Sequence, residues 1–268
     1  MERREFMSGV LGGLAAAGVA GEGLAGAQTP APAAPEFYVW QHYRLHSGPQ
    51  QQRLAEFLQK AAIPALNRLG HQPIGVFTAL AGAATPSLFV LVPMRALEAL
   101  ATLEGALAKD ADFIKGAAGY LDAPATDPAY ERREVSLLAA FARFPRVEVP
   151  AQTKEKRPRL FELRTYESHS EKAHRLKVQM FEEMGEIDIF RRVGLQPVFF
   201  SHTVAGPRMP SLVYMLVHDN LAAREKNWAA FSADPEWKKV ASTPGYSNAD
   251  IVSNITTVFL QPTAYSQI

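Results

Sequence analysis

Apolar positions along the chain switch between two spacings, and the whole pattern is written twice. Residues 37–45 and 160–167 are short runs rich in aromatic and β-branched side chains, as strands require. A helical stretch follows each run. In the first, Leu54, Phe57, Leu58, Ala61, Ala65 and Leu69 share one face at three- and four-residue spacing; in the second, Leu176, Met180, Met184, Ile187 and Phe190 do so. Two further strands come next in each half, at 73–80 with 88–92 and at 197–204 with 212–217, joined by short Gly/Pro segments. A second helical region is predicted at 96–107 and 221–231, extended by a short helix after Asp110 or Asp234. A last strand closes each half at 135–144 and 251–260. Ser47 and Ser168, each three residues ahead of Gln50 or Glu171, spell capping boxes for the first helices. Pro64 should kink or break its helix, whereas Asp188 at the matching position should not.

The repetition is visible residue by residue. Tyr43, His46 and Ser47 return as Tyr166, His169 and Ser170; Gly70 returns as Gly194, Gln72 and Pro73 as Gln196 and Pro197, and Asp110 as Asp234. Near the ends, Val135, Ser136 and Pro145 align on Val252, Ser253 and Pro262. The order β-α-β-β-α-β is the ferredoxin-like arrangement, which has helices on only one face of its sheet. The second copy is the natural cover for the other face. The expected fold is therefore α+β: two tandem ferredoxin-like βαββαβ units forming an intrachain pseudo-dimeric αβ barrel, over residues 36–145 and 159–268 with a linker at 146–158. A further homo-oligomer is compatible with this arrangement.

The first residues read as an address. Arg3 and Arg4 precede Phe6 and Met7, a Gly/Ala-rich apolar stretch runs over 8–20, and Ala25 and Ala27 put small residues ahead of Gln28. This resembles a twin-arginine export signal over residues 1–27, followed by a Pro/Ala leader at 28–35, and predicts a periplasmic or secreted protein without a stable membrane anchor. Composition narrows the chemistry. The chain has no cysteine, which excludes disulfides, thiolate metal sites and cysteine nucleophiles. Its net charge of +1 gives no field to draw nucleic acid.

Phe161 through Glu167 at the head of the second copy (Phe-Glu-Leu-Arg-Thr-Tyr-Glu), Asn227 through Phe231 with Asp234 through Trp237, and the closing Phe259 through Pro262 resemble the NIPSNAP family. The resemblance is strong in copy two and diluted in copy one, and together they span residues 36–268. It implies a dimeric αβ-barrel fold but no reaction, since the family has no generally accepted one. Its eukaryotic members are associated with mitochondria and protein partners. The same barrel hosts cofactor-free monooxygenases, haem enzymes and small-molecule binders.

Alternation along a strand puts Glu162, Arg164 and Tyr166 on one face and Phe161, Leu163 and Thr165 on the other. The more apolar face is expected against the helices, so the Glu/Arg/Tyr face should line the barrel. Tyr43 and Gln41 occupy the matching positions of copy one, where Val39 replaces Glu162 and Glu104 replaces Trp228. A polar site should thus be weighted towards copy two. His202 and His218, on or at the end of strands, are further acid/base candidates that could face the barrel, although a satisfied core or rim position is the commoner place for such a histidine. His42 and His46 have metal-like spacing but sit where a strand enters a loop, so no metal is expected. His46 and His169 suit helix entry, Arg191 and Arg192 suit a helix C-terminus, and Trp228, Phe231 and Trp237 suit a core. Nucleophile-elbow, Walker, dinucleotide and zincin motifs are missing from residues 28–268, and no cofactor is expected. Three functions fit: small-molecule binding in the barrel by Glu162, Arg164, Tyr166, Tyr43 and Gln41; a cofactor-free monooxygenase or isomerase with Tyr166, Glu162, His202 or His218 as acid/base; or a protein-interaction module with a filled barrel.

Overall fold

The computed structural model describes residues 34–46 and 48–268. The export signal, most of the Pro/Ala leader and the Ser47 cap lie outside the described residues. Copy one contains β1 (Phe37–Arg44), α1 (Gly48–Phe57), α2 (Ile63–Arg68), β2 (Gly75–Ala81), β3 (Ser87–Met94), α3 (Leu97–Leu107), α4 (Ala111–Leu121) and β4 (Arg132–Ala140). A short α5 (Ala151–Lys154) interrupts the linker. Copy two contains β5 (Leu160–Glu167), α6 (Glu171–Glu182), α7 (Glu186–Arg192), β6 (Gln196–Ala205), β7 (Ser211–His218), α8 (Leu221–Ala233), α9 (Pro235–Ala241), α10 (Asn248–Ile251) and β8 (Asn254–Pro262).

All eight strands form one closed barrel in the order β1-β3-β2-β8-β5-β7-β6-β4, every pairing antiparallel. Each copy contributes a four-stranded sheet with its outer strands at the edges, and those edges meet in two seams, β2 with β8 and β4 with β6. Closure leaves no unpaired strand edge, which a lone unit would expose. Both seams carry a register shift. A glycine stands by each. Gly82, at φ +85°, leaves no room for a Cβ against the carbonyl oxygen of Thr257, and a Cβ on Gly206 would lie 2.7 Å from Ser136 Oγ. These equivalent glycines let each β-hairpin turn press onto the last strand of the other copy.

Local signals account for most element ends. Gly70 and Gly194 have φ of +83° and +86° just past α2 and α7, and the next residues, His71 and Leu195, bond back to Leu66 and Phe190. This is a Schellman ending, built at the same place in both copies. Asp110 caps α4 through Phe113 N, and Asp234 caps α9 through Glu236 N and Trp237 N.

Four local expectations are corrected. The α6 cap is Ser170, which accepts from Ala173 N, rather than Ser168. The Pro64 helix does not break; a π-helical stretch at Leu58–Ala62 precedes it, a wider turn that absorbs a proline lacking its donor. Its counterpart, expected to be continuous through Asp188, breaks at Gly185, φ +86°, so that α6 and α7 are separate. The final strands also pair in another register. Arg133 lies opposite Tyr43 and Ile255 opposite Tyr166, which makes Glu134 and Thr256 equivalent and displaces the Val135-to-Val252 alignment.

Candidate functional site: the open end of the barrel

The barrel has one packed end. Tyr38, Phe77, Phe161, Phe199 and Leu260 meet there with Ile268, all fully buried. The opposite end, formed by the C-terminal ends of β1, β2, β5 and β6 and the start of the other strands, encloses a cavity of about 370 Å³. Its floor is Trp40, Phe89, Leu138, Leu163, Val213 and Val258, each buried. Its rim is exposed at Gly82 and Ala84 from one hairpin turn and Pro207 and Arg208 from the other.

The cavity exists because the copies differ at equivalent positions. Where copy one has Trp40, His42 and Phe89, copy two has Leu163, Thr165 and Val213, all facing the same space. Three large rings on one side face three smaller side chains on the other. Trp40 stacks on Phe89 at 5.6 Å and His42 on Phe89 at 4.3 Å, a rigid aromatic wall.

Ionisable groups gather at this wall. His42 Nε2 lies 3.0 Å from Ser87 Oγ, and Nδ1 lies 3.9 Å from Glu134 Oε2. Arg44 pairs with Glu134 at 3.4 Å. Burial lowers the His42 pKa; Glu134 opposes that effect and Arg44 and Arg208 add to it. The imidazole is therefore neutral near pH 7, the form that can accept a proton. Arg208 donates to Thr256 Oγ1 at 3.2 Å, and Thr203 and Ser211 share a hydrogen bond of 2.8 Å on the same rim.

The expected polar face lies elsewhere. Glu162, Arg164 and Tyr166 point away from the barrel, towards α6, α7 and α8, while Phe161 and Leu163 belong to its interior and Thr165 lines its open end. The apolar-face argument fails because both faces of a closed, helix-covered barrel are buried, so mean polarity does not tell them apart. Glu162 is fully buried and accepts five hydrogen bonds: Arg164 at 3.0 Å, two from Arg224 at 2.8 and 2.9 Å, Trp228 Nε1 at 2.9 Å and His218 Nε2 at 3.1 Å. Arg164 also donates to Tyr166 OH at 3.1 Å and lies over the Trp228 ring, and Tyr214 OH reaches Tyr166 OH at 3.2 Å. Burial alone would raise the Glu162 pKa, but the bonds from His218, Arg224 and Trp228 with the Arg164 charge outweigh it and hold the carboxyl well below the usual range.

His218 is thus brought together with Glu162, Arg164 and Tyr166, but behind the sheet. His202 does not face the barrel; it points to the helix layer, where its ring lies near Phe141 and His174. Tyr43 packs in the copy-one helix layer, and Gln41 accepts from its hydroxyl at 2.9 Å and from Arg133 at 3.0 Å. None of the seven residues lines the cavity. The groups that do, His42, Glu134 and Arg208 above all, were legible only through their parity with Trp40, Leu138 and the hairpin turns. Among the described residues, no group of three or more His, Asp or Glu is placed to hold a metal ion, and no helix is long and apolar enough to cross a membrane.

Residues 161–267 match the model of the NIPSNAP family. The NIPSNAP match is thus the repeat that holds the Glu162 network. No curated protein matches the chain. Among solved structures, an uncharacterized NIPSNAP-like domain protein from Burkholderia xenovorans is 25% identical over 40% of this chain and 88% of its own, with a TM-score of 0.36. A candidate monooxygenase from Lactobacillus acidophilus NCFM is 9% identical and covers 85% of this chain and 94% of its own, with a TM-score of 0.56. An anthrone oxidase-like protein is 10% identical over 85% and 91%, with a TM-score of 0.50. The last two share the fold across both copies, the NIPSNAP repeat and its diverged partner alike.

Proposed function

We propose that the protein binds a small organic molecule in the open end of the barrel. The observation that carries this reading is a cavity with an apolar, partly aromatic floor and a few convergent polar groups at its rim, its volume within the roughly 300–1,000 Å³ usual for small-molecule sites. A barrel serving only as an interaction module would gain stability from filling that space. Native mass spectrometry of the protein isolated from its own host tests the reading. A retained small molecule, lost when Val213→Phe fills the cavity, is the expected result; a ligand retained in that variant would place binding elsewhere.

A second reading rests on His42. A neutral imidazole, hydrogen-bonded to Ser87 and set against the cavity wall, can take a proton from an acidic C–H or O–H of a bound molecule, the opening step of a cofactor-free oxygenation or isomerisation. Two barrels of similar shape are described as a candidate monooxygenase and as anthrone oxidase-like, which makes such turnover worth assaying. Turnover that survives His42→Gln would contradict the assignment.

We also infer export, on the strength of Arg3, Arg4 and the small residues before Gln28. A periplasmic fraction yielding a chain that begins at Gln28 is expected. A full-length chain confined to the cytoplasm would refute it.

A further inference from the structure

We propose that the ligand of the barrel mouth is a small carboxylate with a ring-sized apolar body, its anionic group held by Arg208. The inference deepens the small-molecule reading and rests on it. Four ionisable side chains line the cavity: His42, Arg44, Glu134 and Arg208. The one carboxylate is already engaged, 3.4 Å from Arg44 and 3.9 Å from His42. Arg208 has no carboxylate within 4 Å among the described residues, and its polar partner is the Thr256 hydroxyl at 3.2 Å. With His42 neutral, the mouth carries one positive charge more than it balances.

The surplus comes from the divergence of the copies. Arg208 stands in the second hairpin turn where copy one has Ala84, and both turns reach the cavity. Thr256 is the equivalent of Glu134, so copy two has gained a cation on its turn and has a neutral residue in place of the acid on its last strand. A guanidinium over an apolar pocket matches a carboxylate in shape and charge, with two parallel N–H donors for its two oxygens. The low polarity of the floor strengthens that pairing relative to water. Beneath it, Trp40 and Phe89 supply a flat face opposite Leu163 and Val213, which suits a ring rather than a flexible chain.

Isothermal titration calorimetry on the full chain tests this with 2-naphthoate and its neutral isostere 2-naphthamide, in the wild type, Arg208→Gln and Val213→Phe. The wild type should bind naphthoate at least about tenfold more tightly than naphthamide, the scale of one charged hydrogen-bond pair. Arg208→Gln should erase that preference, and Val213→Phe should weaken both. Equal affinities in the wild type, a preference surviving Arg208→Gln, or no naphthoate binding would overturn the anion assignment. Binding of both probes untouched by Val213→Phe would instead overturn the barrel-mouth reading itself.

Discussion

His42 and Thr165 stand at the same position in the two copies and face the same cavity, yet only His42 can take up a proton near neutral pH. That difference summarises how the duplication has diverged. Copy one supplies aromatic rings, an imidazole and a carboxylate to the barrel mouth. Copy two supplies smaller side chains to the floor and Arg208 to the rim, and concentrates its buried charges behind the sheet, around Glu162.

The Glu162 cluster should be structural. Removing one partner of a buried charge network leaves the others unpaired, a loss of about 3–5 kcal/mol. Glu162→Ala should destabilise the protein on that scale in urea unfolding, because Arg164, Arg224 and His218 then lose a shared acceptor. An unchanged midpoint would show that the cluster contributes nothing net.

Acid should expose the same cluster. The Glu162 carboxyl is held below its ordinary value in the folded state, so its contribution is fully present above the unfolded carboxylate range and is lost as pH falls below about 4.3. His42, whose folded pKa is lowered, acts in a different window: the unfolded chain takes up its proton first, so stability declines as pH drops through about 6.5. Thermal melts across pH 3–8 should show both declines. Glu162→Gln should reduce the acidic one, which Asp110, Asp219 and Asp234 share, and His42→Gln should reduce the one near neutrality, which His174 and His202 share.

The seams should be intolerant of side chains. Gly82→Ala combines a positive φ with a backbone collision at Thr257, and a destabilisation of at least about 1–3 kcal/mol is expected. Gly206→Ala meets a serine hydroxyl that can rotate, so its cost should be smaller. Equal tolerance at both positions, read by thermal unfolding, would contradict the close approach of the turns.

Much of this fold is legible in the sequence, because strand and helix periodicity, the paired glycines at 70 and 194 and the caps at Asp110 and Asp234 are local signals that both copies obey. The site is less so. Alternation groups Glu162, Arg164 and Tyr166, but which face meets the helices is a tertiary property. Arg224 and Trp228, one turn apart on α8, are the partners that fix it. His42 shares its parity with Trp40, but the neighbours that make it part of a polar site, Ser87 and Glu134, are distant in the chain.

Symmetrising the mouth should close it. Val213→Phe restores to copy two the ring that copy one has at Phe89, and at a site with free volume the cost to stability should stay below about 1.5 kcal/mol. Comparing this variant with Glu162→Gln for 2-naphthoate binding at neutral pH is the most direct test of the division between the two copies. Loss of binding in Val213→Phe with retention in Glu162→Gln is predicted. Retention in Val213→Phe with loss in a folded Glu162→Gln would move the site behind the sheet and contradict the account.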